Sequence, residues 1–533
     1  MKKNIFLITF SLLLSSISLS FAQQTAKPNI LFIAIDDLKP ELGCYGNKMI
    51  KTPNIDRLAA MGTVFLNNYC QQAVCGPTRA SLMTGKRPDY TKVWDLKTPM
   101  RDVTPDILSL PQYLITQGYT TQGIGKVYDP RDVDKQLDAP SWSVPFYKVD
   151  NKYYDVVTGP PVLGQYQSPA TRAEYEKYTK EAKANGLTGK DARLYVEDRV
   201  KPTTECINVP ENAYEDGANV LMALDILKEL KATDKPFFFA VGIHKPHLPF
   251  VSPKKYWDLY NREDMPVAKF QEAPKNAVSA AFSDVGEMKK YTDIPALLSF
   301  TDQKPYGLTL PIAKQKELIH GYYAAISYTD ALVGKLLNTL DSLGLTKNTI
   351  IVLWGDHGWH LGDHNMWCKH TNFEAATHAP LIFAAPGIKP SRATAVTEFV
   401  DIFPTLCDLT GVKTPAILDG KSLVPMMKDP KASVKEFSVS QYPRNVKDAN
   451  GKNEKLMGYS IRTAQYRYTL WMGKDFRTTQ PYSKDLVRGR EMYDYKKDPL
   501  ETNNVVDDKA YEKISNELNK KITDFFQSQL NNK

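Results

Sequence analysis

The chain has 533 residues, 42% hydrophobic and 24% charged, with a formal net charge of +8 at pH 7. That length exceeds one compact core and predicts two to three domains, and the balance of apolar and charged residues excludes a disordered chain. The modest basic excess is compatible with a polyanionic substrate, and no nucleic-acid partner is expected.

The N-terminus reads as an export address. Lys2 and Lys3 precede an apolar core from Ile5 to Leu14, and Ser20-Phe21-Ala22 offers a cleavage site, giving a signal peptide over residues 1–22. The apolar run is too short and Ser-rich for a membrane span, and no Cys follows it to carry a lipid. No later window is long and charge-free, so a periplasmic or secreted protein without a membrane span is expected. The six cysteines, Cys44, Cys70, Cys75, Cys206, Cys368 and Cys407, are scattered and contain no zinc-type pair. Export permits disulfides among them.

Asn29 to Ile35 is a continuous apolar run, predicting a strand buried on both faces, and it ends in Asp36-Asp37. Thr52 to Met61 reads as a helix closed by Gly62. In Ala73 to Leu82, Pro77 suits a first helical turn, so Cys75 falls at a helix N-terminus; Arg79, Leu82 and Met83 read as a short amphipathic turn closed near Gly85. At such a position an anion is welcome and a thiol is acidified. Ile107 to Thr116 is a further helix, followed by a short strand into Gly123-Ile124-Gly125-Lys126. Residues 141–210 are weakly periodic and read as an insertion of loops and short helices.

Order returns with a helix over Tyr214 to Leu230 and a strand over Pro236 to Gly242, leading into His244-Lys245-Pro246-His247. A second irregular stretch covers 253–311. Gly321 to Leu343 reads as a helix, Thr349 to Trp354 as a buried strand followed by Gly355-Asp356-His357-Gly358, Leu381 to Ala384 as a strand, and Val400 to Leu409 as a helix. From about Ala432 the pattern changes to short strands at Phe437 to Ser440, Tyr459 to Arg462 and Tyr466 to Met472, with a terminal helix over Tyr511 to Leu530. Alternating strands and helices predict an α/β sheet covered by helices on both faces, in a domain over 27–430, with a smaller α+β domain over 431–533.

Chemistry collects at the strand ends, where open α/β sheets place their ligands. Asp36, Asp37 and Asp356 form an oxygen-rich set suited to calcium or magnesium rather than zinc. Taken singly, Asp36-Asp37 is equally a turn or a helix cap, and Cys75 a packed or disulfide-bonded thiol. Lys126, Lys369 and the histidines His244, His247, His357, His360, His364 and His370 gather after the same buried strands. A hard cation, an activated group at a helix N-terminus and nearby Lys and Arg suit a tetrahedral oxyanion, so hydrolysis of a sulfate or phosphate ester is the reaction class.

At these residues the chain resembles a known family. Cys75-Gly76-Pro77-Thr78-Arg79, followed by Ser81-Leu82-Met83-Thr84-Gly85, matches the Cys-x-Pro-x-Arg signature of the type I sulfatases, with Thr78 where Ser is commoner. The resemblance runs from Pro28 to about Asn504. Within the family it is strongest to the iduronate-2-sulfatases, through Gly125-Lys126-Val127-Tyr128, Ser141-Trp142-Ser143, Ala240 to His247, Gly355 to Trp359, Ser440 to Arg444 and Met457 to Thr463.

The resemblance implies an alkaline-phosphatase-like fold, with a large mixed sheet between helices and a short antiparallel sheet in the C-terminal domain. It implies that a formylglycine-generating enzyme oxidises Cys75 to formylglycine, and that Asp36, Asp37, Asp356, His357 and the modified Cys75 bind Ca2+. The hydrated aldehyde would attack sulfur, His244 would protonate the leaving alcohol, and Arg79, Lys126 and Lys369 would hold sulfate oxygens and the diol. A sulfated intermediate would then eliminate sulfate.

The family often carries a His just after the Gly-Lys segment. Asp129 stands there in this chain, so either Asp129 replaces that base or another group acts. For a sulfated uronic acid in heparan, dermatan or chondroitin sulfate oligosaccharides, Trp359, Arg444, Arg462 and Arg467 are the candidate substrate contacts. The alternatives are another sulfated polysaccharide, a phosphate or phosphonate ester hydrolase on the same scaffold, or an inactive sulfoglycan-binding protein.

Overall fold

A computed structural model describes residues 27–294, 309–447, 451–473 and 483–531. The expected signal peptide lies outside the described residues. The central sheet contains Asn29–Ile35 (β1), Thr63–Tyr69 (β2), Thr120–Gly125 (β3), Phe237–Ile243 (β4), Thr349–Gly355 (β5), Leu381–Ala384 (β6) and Ser391–Glu398 (β7). Their order is β7-β2-β6-β5-β1-β4-β3. β6 runs antiparallel to β2 and β5, while the other pairings are parallel, so the sheet is mixed.

Every residue of β1 is buried. Leu31, Ile33 and Ile35 enter one core and Ile30, Phe32 and Ala34 the other. A strand covered on both faces has no polar side to present, which explains its unbroken apolar run. The larger helices are Pro53–Ala59 (α1), Cys75–Thr84 (α2), Leu110–Thr116 (α3), Pro169–Ala184 (α4), Gly189–Glu197 (α5), Glu215–Lys231 (α6), Ile312–Ser342 (α7), Ile402–Thr410 (α8) and Glu512–Asn531 (α9). α1, α6 and α7 pack into the first core, and α2, α3 and α8 into the second.

A second, antiparallel sheet joins Ser438–Lys447 (β8), Asn453–Arg462 (β9), Tyr466–Met472 (β10) and Val487–Asp494 (β11) in sequence order. Leu518 and Ile522 of α9 pack with Met457, Leu470 and Met472, while Phe282, Met366 and Phe373 pack with Leu456 and Trp471. The two sheets are pinned together by a buried fork. Arg87 donates to both oxygens of Glu398 at 2.7 and 2.8 Å, and the Val439 amide donates to Glu398 at 2.7 Å.

Several elements differ from the sequence reading. α2 is buried at all ten positions and is therefore not amphipathic; Cys75 and Arg79 reach the site groups, while the Thr84 hydroxyl donates back to the Ala80 carbonyl. The 141–210 insertion holds two regular helices, α4 and α5. α7 begins at Ile312, nine residues before the expected start at Gly321. β2, β7 and β11 were not anticipated. All six cysteines are free.

Register sets the site. Ile35 of β1 lies beside Ile243 of β4 and Gly355 of β5, and Gly125 of β3 lies beside Gly242. Four adjacent parallel strands therefore end level, and the residues that follow them emerge on one edge. A Cβ on Gly242 would stand 2.1 Å from the Lys126 carbonyl carbon, and Gly125 adopts φ +73°. Only glycines let β3 and β4 close to that distance.

Candidate active site

Asp36 and Asp37 follow β1, Lys126 follows β3, His244 follows β4, and Asp356 and His357 follow β5. Asp37 has φ +56°, in the left-handed region that non-glycine residues rarely occupy. Its amide donates to Asp356 Oδ1 at 2.9 Å, tying two strand ends together. Cys75 opens α2 beneath them, 1% exposed. Its Sγ lies 3.6 Å from His357 Nε2 and 3.9 Å from Asp37 Oδ1.

Three cations surround the carboxylates. Arg79, fully buried, donates to Asp36 Oδ1 at 3.0 Å, to Asp356 Oδ2 at 3.1 Å, and to the carbonyls of Lys126 and Val127. Lys126 pairs with Asp36, and Lys369 lies 2.9 and 3.0 Å from the two oxygens of Asp37. Burial opposes ionisation of Asp36, but Lys126 and Arg79 outweigh it and hold that carboxyl well below the usual range. Burial pushes Asp37 up to about 7, against the pull of Lys369 and with the Asp36 charge adding to the rise. The Cys75 thiol is raised by burial and by Asp36, against the pull of Lys126 and Lys369, and is not acidified as a helix N-terminus alone would make it.

His244 is held in place by α6. Asp216, in its first turn, accepts from the His244 amide at 2.7 Å and the Lys245 amide at 2.8 Å. Burial and the Lys126 charge hold the His244 imidazole well below its ordinary range.

Asp129, which stands where the family often carries a His, is held by cations. Arg131 grips both its oxygens at 2.8 and 2.7 Å, Lys126 lies 4.0 Å away, and these cations overcome burial to bring it to about 2.

A cavity of about 1380 Å³ opens over these groups, and its lining includes Cys75, Lys126, His244, Lys369 and Arg444. Arg444 is the one expected substrate contact that reaches it. Its guanidinium donates to the carbonyls of Ala280 and Phe282 at 3.0 Å each and to that of His370, and stacks 4.4 Å over Tyr442.

The other three expected contacts lie elsewhere. Arg462 is paired with Glu374 at 2.9 Å and sits 3.7 Å over the Tyr495 ring. Arg467 is buried against Glu501. Trp359 is fully buried, with the Lys369 ammonium 4.8 Å above its ring, so it forms the floor under a cation rather than a contact surface. His360 and His364 are likewise structural, bonded to Thr371 and to the Leu500 carbonyl.

Glu287 was missed, because it comes from the irregular 253–311 stretch with no local pattern around it. It lies 3.1 Å from both Lys369 and His247 and 3.8 Å from His370, and so positions three basic groups at the cavity wall.

The residues fit a hard divalent cation. One ligand atom each from Asp37, Cys75, Asp356 and His357 lie within 4.8 Å of one another, as do those of Asp36, Asp37, Cys75 and His247. The Nδ1 of His357 pairs with the Gly358 carbonyl at 2.9 Å, turning Nε2 toward the carboxylates. That is the orientation a metal-ligating imidazole takes.

The Sulfatase family model matches residues 28–412, and the C-terminal model of N-sulphoglucosamine sulphohydrolase matches residues 362–528. The chain is 33% identical to iduronate 2-sulfatase of Homo sapiens over 563 residues, covering 94% of this chain and 96% of that protein. Among solved structures, BT4656 in complex with its substrate D-glucosamine-2-N,6-O-disulfate superposes with a TM-score of 0.67 at 22% identity, over 94% of this chain and 98% of that one. The phosphonate monoester hydrolase of Agrobacterium radiobacter superposes at 0.66 and 21% identity, over 94% and 96%. These two share the alkaline-phosphatase-like fold. With its sequence matched over nearly its whole length and its cysteine helix set among the strand-end carboxylates, the chain belongs to the sulfatase family and is a sulfuric ester hydrolase.

Proposed function

We propose that the protein removes the 2-O-sulfate of a uronic acid from glycosaminoglycan oligosaccharides. The reading is carried by the convergence of Cys75 with Asp37, Asp356 and His357 under a cation-lined cavity. It is supported by the near full-length similarity to iduronate 2-sulfatase. Calcium would be held by Asp36, Asp37, Asp356, His357 and the side chain at 75, and Cys75 would be oxidised to formylglycine by a maturation enzyme. When present, the cation supplies Lewis acidity toward sulfate oxygens and the hydrated aldehyde supplies the nucleophile.

The remaining roles belong to groups already in place. Lys126 and Lys369 direct their ammonium groups toward the sulfate oxygens. Arg79 keeps Asp36 and Asp356 aligned. His244 gives a proton to the departing alcohol oxygen; the incoming anionic ester opposes the effects that hold its imidazole neutral. Arg444 has no carboxylate in salt-bridge contact among the described residues, and it receives the uronate carboxylate.

The test is sulfate release from disaccharides sulfated at single defined positions. The uronate 2-O-sulfate is expected to turn over with kcat/KM about 100-fold or more above 6-O- or N-sulfated glucosamine, the scale that a buried polar contact allows. Equal rates across the panel would refute the positional assignment. An aryl sulfate is expected to react faster than the matching aryl phosphate, and the reverse would favour the phosphate or phosphonate reading.

Calcium binding is expected to weaken as pH falls below about 7, because the proton on Asp37 must leave for the ion to enter. The sign for stability runs the opposite way. A carboxyl raised in the folded state gives the metal-free protein stability that is present below its unfolded value near 3.8 and is lost as pH rises through about 7. Calorimetric calcium titration and melting at pH 5.5, 6.5 and 7.5 check both; an affinity constant across that range would count against Asp37 as a ligand.

Among the described residues no helix is long and apolar enough to cross a membrane. We place the mature protein in the periplasm or outside the cell, as the leader-like residues 1–22 indicate.

A further inference from the structure

The cavity is larger than one sulfated sugar requires. At about 1380 Å³ it exceeds the roughly 300–1,000 Å³ of ordinary small-molecule pockets. Its wall also carries basic groups that play no part in the chemistry above. Arg193, on α5, Lys201, just beyond it, and Lys290 all line the same cavity as Cys75.

Lys201 and Lys290 come from the two irregular stretches of the sequence, and hydrogen bonds hold those stretches together. The Thr292 amide donates to the Lys201 carbonyl at 2.9 Å, and the Thr203 amide and hydroxyl donate to Asp293 at 2.8 and 2.6 Å. The Lys201 ammonium is seated 4.8 Å over the Tyr291 ring. Among the described residues neither Lys201 nor Lys290 has a carboxylate in salt-bridge contact, while Arg193 is paired with Glu197 at 2.5 Å. Burial and the like charges of Lys290 and Arg193 push the Lys201 ammonium below its ordinary range, Glu197 and Glu287 opposing. An anion seated between these cations would relieve that repulsion.

We propose that Lys201 and Lys290, with Arg193 beside them, form a second anion subsite that binds an oxyanion on a sugar neighbouring the one that is desulfated. The protein then selects oligosaccharides that carry a further acidic group on a neighbouring sugar, beyond the sulfate and carboxylate of the uronate itself. The proposal rests on the sulfatase assignment of the same cavity but names residues outside its reacting centre. Lysine ammonium groups bind sulfate and carboxylate alike as point charges, so the test separates the two.

Binding is measured by calorimetry on the full-length Cys75→Ala chain, so that no turnover intervenes. The probes are three tetrasaccharides that share a terminal 2-O-sulfated uronate. One carries a second sulfate on the adjacent sugars, one carries only the second uronate carboxylate, and one has that carboxylate reduced to the alcohol.

A preference of about tenfold is expected for the first probe over the second if the subsite takes sulfate, or for the second over the third if it takes carboxylate. Lys201→Gln with Lys290→Gln is expected to abolish that preference, and Lys201→Arg with Lys290→Arg to restore it. Equal affinity for all three probes, absence of binding, or a preference that survives the glutamine pair would overturn the proposal. Failure of the unsubstituted enzyme to release sulfate, with the preference intact, would refute the catalytic reading and leave the subsite standing.

Discussion

Replacing Cys75 by alanine is expected to lower sulfate release by about 10⁴-fold or more, the scale seen when a covalent nucleophile is removed. The fold is expected to persist. The Sγ makes only long contacts, 3.6 Å to His357 and 3.9 Å each to Asp37 and Lys126, and deleting one buried atom of this size costs about 1 kcal/mol. Sulfate release by ion chromatography and a thermal melt on the same preparation check the two halves. Turnover within tenfold of the parent would remove Cys75 from the chemistry, and an unfolded variant would make the loss of activity uninformative. Cys75→Ser, which keeps the volume, guards against the second outcome.

The second large effect is on stability. Arg79→Ala removes a guanidinium that joins two fully buried carboxylates, Asp36 and Asp356, and two backbone carbonyls, and that lies 5.2 Å from the Trp354 ring. Breaking a buried ion pair from one side leaves uncompensated charge, at a cost of about 3–5 kcal/mol. Arg79→Lys is expected to recover little, since one ammonium cannot span both carboxylates as the planar fork does. Urea unfolding with and without calcium reads this directly. A midpoint within error of the parent would show that Lys126 and the strand-end backbone suffice to hold the carboxylates.

The parallel strands and the groups that follow them were legible because a strand buried on both faces leaves an uninterrupted apolar run, and Asp36, His244 and Asp356 stand out where such runs stop. β2 and β7 were not, because Asn67, Asn68, Arg392 and Thr394 break the apolar signal in strands held by their neighbours. Among the arginines, local sequence could not separate ligand from brace. Arg444 and Arg462 both lie on strands of the second sheet, and only packing shows that Glu374 neutralises one while carbonyls and the Tyr442 ring hold the other. Glu287, Lys201 and Lys290 escaped for a related reason. They meet through tertiary contacts between segments that carry no periodicity.

The Cys75 thiol is 1% exposed at the base of the cavity, on a helix buried at all ten positions, so another protein's active site could not close around it in the folded chain. Under the proposed maturation of Cys75, an oxidising partner would therefore have to meet position 75 before the chain folds. Folding and that maturation would then compete, and a copy that closes first would keep its thiol. On that proposal the yield of competent enzyme from a host would be set by how long the segment around Cys75 stays open, not by how well the finished protein holds together.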